Sequence, residues 1–240
     1  MDAAFEEYRS WKAWDRAPFG AFTALDARAY EAELSAAGVA LDPGLSILEI
    51  GFGAGTFAGW ALSRGFAYVG IELDPALVAS ARLAGFEAFG AERPVAQVAA
   101  SRRFDLIVAF DVLEHMPLDE IARLMQALRG RLAEGGRLLA RFPSGDSPFS
   151  GAIQHGDLTH RTAIGSGIVE QLALKTGYSV AQIRAPRLPV FGVGLLRGLR
   201  RAALNLARLT TGRLINLIYH DNQNRVVDPN MVIVLVRSGP

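Results

Sequence analysis

Ser46-Ile47-Leu48-Glu49-Ile50-Gly51-Phe52-Gly53-Ala54-Gly55-Thr56-Phe57 decides how the rest of the chain is read. The apolar run Ile47, Leu48, Ile50 reads as a buried parallel strand, and Phe57 to Leu62 continues as a helix. Between them, three alternate glycines let the backbone turn sharply and place no Cβ between it and a ligand lying across the strand end. The helix that follows aims its free amide groups into the same crevice. A dinucleotide fingerprint G-x-G-x-x-G needs glycine where Thr56 stands, and a phosphate-binding loop needs a G-K-[ST] that is absent here.

Working outward, 240 residues suffice for one domain with a sizeable core, and a composition half apolar and a fifth charged is that of a globular protein. With no cysteine, disulfides, thiolate nucleophiles and thiolate metal sites are excluded, which suits a reducing, cytoplasmic setting. The N-terminus is acidic without an apolar leader, and no stretch approaches the ~18 apolar residues of a membrane span.

The net charge of +1 hides an asymmetry. From Gln171 to His220 there is no acid but eight cations: Lys175, Arg184, Arg187, Arg197, Arg200, Arg201, Arg208 and Arg213. The remainder is therefore acidic, which argues against a nucleic-acid partner and leaves one basic segment to explain.

Residues 1–40 read as helical, with Tyr8, Trp11, Trp14 and Phe19 either packing on the domain edge or forming a lid over a pocket. The second strand, Ala67 to Glu72, ends in a carboxylate placed to accept two ribose hydroxyls. Asp74 caps the next helix, with Pro75 at its first position. A short third strand, Phe86 to Phe89, leads to Gly90-Ala91-Glu92. The fourth is Phe104-Asp105-Leu106-Ile107-Val108-Ala109-Phe110, running into Asp111-Val112-Leu113-Glu114-His115-Met116. A helix from Leu118 to Leu132 and Gly135-Gly136 then lead to the strand Arg137 to Pro143.

Two of these motifs, E-x-G-x-G-x-G after the first strand and F-D-L-I-V-A-F-D-V-L-E-H-M, resemble those of the class I (Rossmann-like) S-adenosylmethionine-dependent methyltransferases. The second is similar to the motif of the ubiquinone-biosynthesis O-methyltransferases. The resemblance covers about residues 45–185 and 230–238. It implies an α/β fold, a seven-stranded mostly parallel sheet with helices on both faces, an N-terminal helical lid, and a helical insertion before the last strand. The expected division is a lid at 1–40, a core at 41–186 and 229–240, and a basic insertion at 187–228. The implied cofactor is S-adenosyl-L-methionine, held by Glu49, Gly51, Phe52, Gly53, Gly55, Glu72, Leu73, Asp111 and Val112. An aspartate for the adenine amino group is expected near Ala91, where only Glu92 is at hand. Glu114 and His115 are expected to fix the loop rather than do chemistry.

Absences narrow the acceptor. Without an N-P-P-Y or D-P-P-Y after the fourth strand, exocyclic amino methylation of a nucleobase is disfavoured, and the lack of cysteine excludes covalent pyrimidine methylation. The loop Gln154-His155-Gly156-Asp157-Leu158-Thr159-His160-Arg161 places two histidines on the acceptor side. Its H-x-D-x-x-x-H look is too loose for a metal, and none is expected. A hydroxyl acceptor benefits from a base titrating near neutrality, so His160 is the preferred base, His155 the alternative, and Asp157 the orienting carboxylate. Similar G-D-x-T-H segments belong to bacterial methyltransferases of glycans and lipid-linked substrates, so the expected acceptor is a small molecule or such a glycan.

The basic insertion forms a helix with Leu195, Leu196, Leu199, Ala202, Ala203, Leu206 and Leu209 on one face and Arg197, Arg200, Arg201 and Arg208 on the other. It either packs on the domain or a second subunit, as in a homodimer, or meets an anionic membrane or lipid carrier. Tyr219, His220, Asp221 and Asn222 could then return toward the acceptor. A non-catalytic cofactor-binding adaptor docking through this helix is the competing function, and an NAD or nucleotide-sugar enzyme is opposed by Thr56.

Overall fold

A computed structural model of the chain describes residues 2–14, 16–192, 194–221, 223 and 225–239. The Ile47–Ile50 run lies in β1 (Ser46–Ile50), paired in parallel with β2 (Ala67–Glu72) on one side and β4 (Phe104–Phe110) on the other. Outside β2 lies β3 (Ala88–Gly90), and outside β4 lies β5 (Leu132–Pro143), both parallel. The last strand, β7 (Asn230–Arg237), inserts antiparallel between β5 and β6 (Tyr178–Arg184), giving the order β3-β2-β1-β4-β5-β7-β6. The chain winds away from β1 in both directions, so a crevice opens at the carboxyl ends of β1 and β4, where such sheets bind ligands.

Side chains alternate across the sheet with period two. Leu48, Ile50, Ile107 and Ala109 face α5 (Leu118–Arg129) and α7 (Ser166–Thr176) through Ile121, Met125 and Val169. Ile47, Leu106 and Val108 face the opposite layer, α2 (Ala24–Ala36) and α3 (Thr56–Ser63), through Leu34, Phe57 and Trp60. Trp60, Phe104 and Phe142 are fully buried; each such side chain contributes about 1.5–3 kcal/mol. The next helix, α4 (Pro75–Leu83), starts as its sequence dictates, Asp74 accepting from the Ala76 amide at 2.9 Å.

Some boundaries differ from those read in the sequence. The first forty residues form two helices, α1 (Asp2–Lys12) and α2, separated by irregular chain. Pro18 lacks an amide hydrogen and Gly20 takes a positive φ, so this stretch cannot continue either helix. The third strand starts at Ala88, α5 stops at Arg129, and β5 begins at Leu132, with a register shift between Phe104 and Leu106.

Between β6 and β7 the insertion forms α8 (Leu195–Tyr219), longer than the amphipathic stretch read from sequence. Small and polar residues hold it to the body. Gly198 and Asn216 are its buried positions, Asn216 donates to the Arg225 carbonyl at 3.0 Å, and Arg201 donates to the Pro189 carbonyl at 2.9 Å. The leucine face does not pack on the domain: Leu196 is 83 % exposed and Leu206 62 %.

Candidate functional site

The turn after β1 is built by backbone geometry. Gly51 takes φ +71°, and a Cβ there would stand 2.5 Å from Val112 Cγ2 at the end of β4. Gly55 takes φ +77° as the residue preceding α3, and a Cβ there would stand 2.4 Å from the Phe19 ring. Both positions thus need glycine for conformation and for space. Glu72, 8 % exposed at the end of β2, folds its carboxylate over this turn. It accepts from the Gly53 amide at 2.9 Å, the Leu73 amide at 2.6 Å and the Asp74 amide at 3.2 Å. Burial raises its pKa against the pull of these three amides. Glu49 lies beneath, accepting from the Tyr68 hydroxyl at 2.6 Å, and burial pushes its carboxyl up to about 8.

The N-terminal segment covers the turn. Trp14 lies against Gly53, Phe19 meets Phe52 edge-on at 5.6 Å, and the Gly20 amide donates to the Ala54 carbonyl at 2.9 Å. Helix α1 is pinned on two sides: Arg9 pairs with Asp74, while Lys12 (3.3 Å) and the Tyr8 hydroxyl (3.1 Å) reach Asp157 in the loop after β5. Burial opposes the Asp157 charge, but the hydroxyl and amide of Thr159 together with Lys12 outweigh it and hold the carboxyl at about 2.

Under this helix the two histidine-bearing segments converge. The rings of His115 and His160 meet edge-on at 4.7 Å. His160 Nδ1 lies 3.1 Å from the Gln154 carbonyl, which can only accept, so Nδ1 carries the proton and Nε2 is left free. That Nε2 stands 3.7 Å from Asp157 and 4.0 Å from Glu114. Thr159 spends its hydroxyl proton on Asp157, so at 2.8 Å it accepts from His115 Nδ1. Glu114 is 1 % exposed, its Oε2 has no hydrogen-bond partner, and burial raises its carboxyl to about 8. Donor atoms of Glu114, His115 and His160 all lie within 4.8 Å of one another, close enough in principle to hold a cation or to exchange protons.

The sequence profile of a methyltransferase domain matches residues 22–182, two thirds of the chain. The chain belongs to this methyltransferase family. No curated protein matches it in sequence. Solved structures share its fold. A TehB-like SAM-dependent methyltransferase from Corynebacterium glutamicum is 17 % identical, with TM-score 0.59 over 99 % of this chain and 100 % of that one. A S-adenosylmethionine-dependent methyltransferase from Clostridium acetobutylicum is 10 % identical, with TM-score 0.58 over 99 % of each. A mitomycin 7-O-methyltransferase is 15 % identical, with TM-score 0.57 over 89 % of this chain and 53 % of that one.

The methyltransferase is thus an enzyme whose cofactor is S-adenosylmethionine. Its residues fit that group: the glycine turn leaves room for close backbone approach, and a buried carboxylate, Glu72, lies over the turn at the end of β2. Of the other residues read from sequence, Phe52 is buried beside the turn and Val112 closes over Gly51. Leu73 turns its side chain to solvent and contributes its amide to Glu72. Asp111, at φ +56°, is engaged with Arg141 of β5. Glu92 is exposed with its carboxylate over Gly90, at the edge of the sheet.

On the acceptor side, Asp157 and His160 come together, whereas His155 is exposed after α6 (Gly151–Gln154), outside the cluster. Tyr219 is exposed at the end of α8, and Asn222 lies outside the described residues. Sequence reasoning missed the pairing of His115 with His160 and the grip of Tyr8 and Lys12 on Asp157. The aromatic spacing of α1 pointed to a lid, but nothing local indicated a carboxylate 149 positions away.

Proposed function

We propose that the enzyme methylates a hydroxyl on a small molecule or on a glycan or lipid-linked substrate, with His160 Nε2 taking the hydroxyl proton. The observation that carries this reading is the Gln154 carbonyl on His160 Nδ1, which fixes the tautomer with a free Nε2 beside the Asp157 carboxylate. When bound, the cofactor supplies an electrophilic methyl on a sulfonium. The protein supplies alignment, exclusion of water by α1, and a place for the proton. Asp157, kept ionised, stabilises the imidazolium that forms, as a carboxylate beside a histidine does. Glu114 is a second carboxyl near the same nitrogen of His160, and the cluster is read as a proton site rather than a metal centre. A lid at 1–40, a core at 41–186 and 229–240 and an insertion at 187–228 divide this work. A peripheral contact of the insertion with an anionic membrane belongs to the same reading, because a lipid-linked acceptor is met there.

Replacing His160 by Ala is expected to lower turnover roughly 10²–10⁴-fold, the usual contribution of a positioned base, and to leave cofactor affinity unchanged. Steady-state assays of hydroxylated acceptors, with calorimetry of the demethylated cofactor, read both quantities. Undiminished turnover removes His160 as the base.

A further inference from the structure

Helix α8 is mounted with its hydrophobic side outward. Spacing by 100° per residue puts Leu195, Leu199, Leu206 and Leu217 on one stripe, and each is at least 60 % exposed. The side turned to the body carries Gly198, Asn205, Gly212 and Asn216 instead. A soluble helix buries its apolar stripe and wets the other; α8 does the reverse. Arg197 and Arg200 run along a third side, Arg208 pairs with Asp228, Arg213 falls within the leucine stripe, and the helix contains no acid. The exposed leucines want a hydrocarbon phase and the arginines an anionic layer beside it, which is the layout of a helix lying in a membrane surface. No described helix is long and apolar enough to cross a membrane.

Behind α8 is a groove of about 1370 Å³, larger than the roughly 300–1,000 Å³ of ordinary small-molecule clefts. Leu188, Val190, Leu209 and Val227 line it with hydrocarbon, and Arg28, Arg187 and Arg213 edge it. Its two acids, Glu31 and Asp228, are already engaged with arginines. Phe149 brings the acceptor-side loop to the groove wall. The same loop is tied to the strap at 226–227 by Ser144 and Ser147, which donate to the Val226 and Val227 carbonyls at 2.8 and 2.6 Å. One loop therefore borders both the groove and His160.

We propose that α8 lies in the surface of an anionic bilayer and that the groove behind it receives the hydrocarbon chain of an anionic lipid from that bilayer, the lipid part of the acceptor. This deepens the function proposed above and rests on it for the word acceptor, but binding is measured without turnover. Phosphatidylglycerol vesicles are expected to co-sediment at least tenfold more protein than phosphatidylcholine vesicles, and rising salt to weaken the difference. Substituting Leu195, Leu199 and Leu206 together by Ser should abolish pelleting while short-chain phosphatidylglycerol, kept below micelle formation, still binds in calorimetry. Gly212→Phe should do the converse: Gly212 lines the groove, and a Cβ there would touch only Val227 Cβ, at 3.9 Å, so a ring is admitted and fills the space.

Heat with the demethylated cofactor checks that both variants are folded. Equal pelleting with the two lipids, or no heat with the short-chain lipid, overturns the proposal. So does a wild-type dimer in solution that the triple Ser variant splits, since the stripe would then be a subunit interface. Absence of cofactor heat in the wild type would fail the methyl-transfer reading and leave the lipid result standing on its own.

Discussion

The glycine turn and α8 treat their apolar side chains in opposite ways. Around Gly51–Gly55, Trp14 and Phe19 of the N-terminal segment and Phe52 of the turn itself close on glycine backbone, and the carboxylates of Glu49 and Glu72 are buried beside them. Along α8, leucines face away from the body and glycine and asparagine face in. The first region has its partners within the chain. The second leaves its leucine stripe exposed. A substitution should therefore be felt as lost stability and cofactor affinity in one region, and as lost association in the other.

The largest effect is expected at Gly51. Gly51→Val forces a β-branched residue to positive φ and drives it into Val112. The strain alone costs roughly 1–3 kcal/mol, and the clash displaces the residue that covers the turn. Cofactor affinity in calorimetry should fall by about a hundredfold or more, with a lowered melting temperature; a variant that binds normally would break the contrast.

Next comes the pH dependence set by Glu49. Its folded pKa, about 8, lies above its ordinary 4.5, so across that window the folded state holds a proton that the unfolded state has lost. Stability should fall as pH rises from about 4.5 to 8, by up to a few kcal/mol from this group. Glu49→Gln should flatten that slope in denaturant unfolding at several pH values. An unchanged slope would show that Glu49 is not the titrating group.

A smaller change tests the lid. Tyr8→Phe removes the hydroxyl from Asp157 and should weaken closure of α1 by about 0.5–1.5 kcal/mol. Faster proteolysis of the N-terminal segment with an unaltered melting temperature is the expected result. Smallest of all, Leu199→Ser should shift stability by no more than about 0.5 kcal/mol, as at an exposed site, despite deleting a leucine. A loss of several kcal/mol would mean that the stripe is packed, and would erase the difference between the two regions.

Much of the first region was legible because its signals are local. Alternate glycines after an apolar run, an acid closing β2, and Asp74-Pro75 opening a helix each act within a few residues, and each holds in the structure. The acceptor side was half legible. The Asp157–His160 pairing lies three positions apart in one loop, whereas His115 joins it from the end of β4 through tertiary packing. Asp111 was read as cofactor-facing; its engagement with Arg141 follows from the pairing of β4 with β5, which a pattern along one strand does not encode. For α8, periodicity defined a stripe of leucines but not the direction it faces. That direction is set by Gly198 and Asn216, small and polar residues that a hydrophobic pattern passes over.

Helix α1 is fastened to Asp74 on one side and to Asp157 on the other. Opening of this segment would have to release both anchors, so exposure of the glycine turn and of the histidine-bearing loop would rise together rather than one at a time.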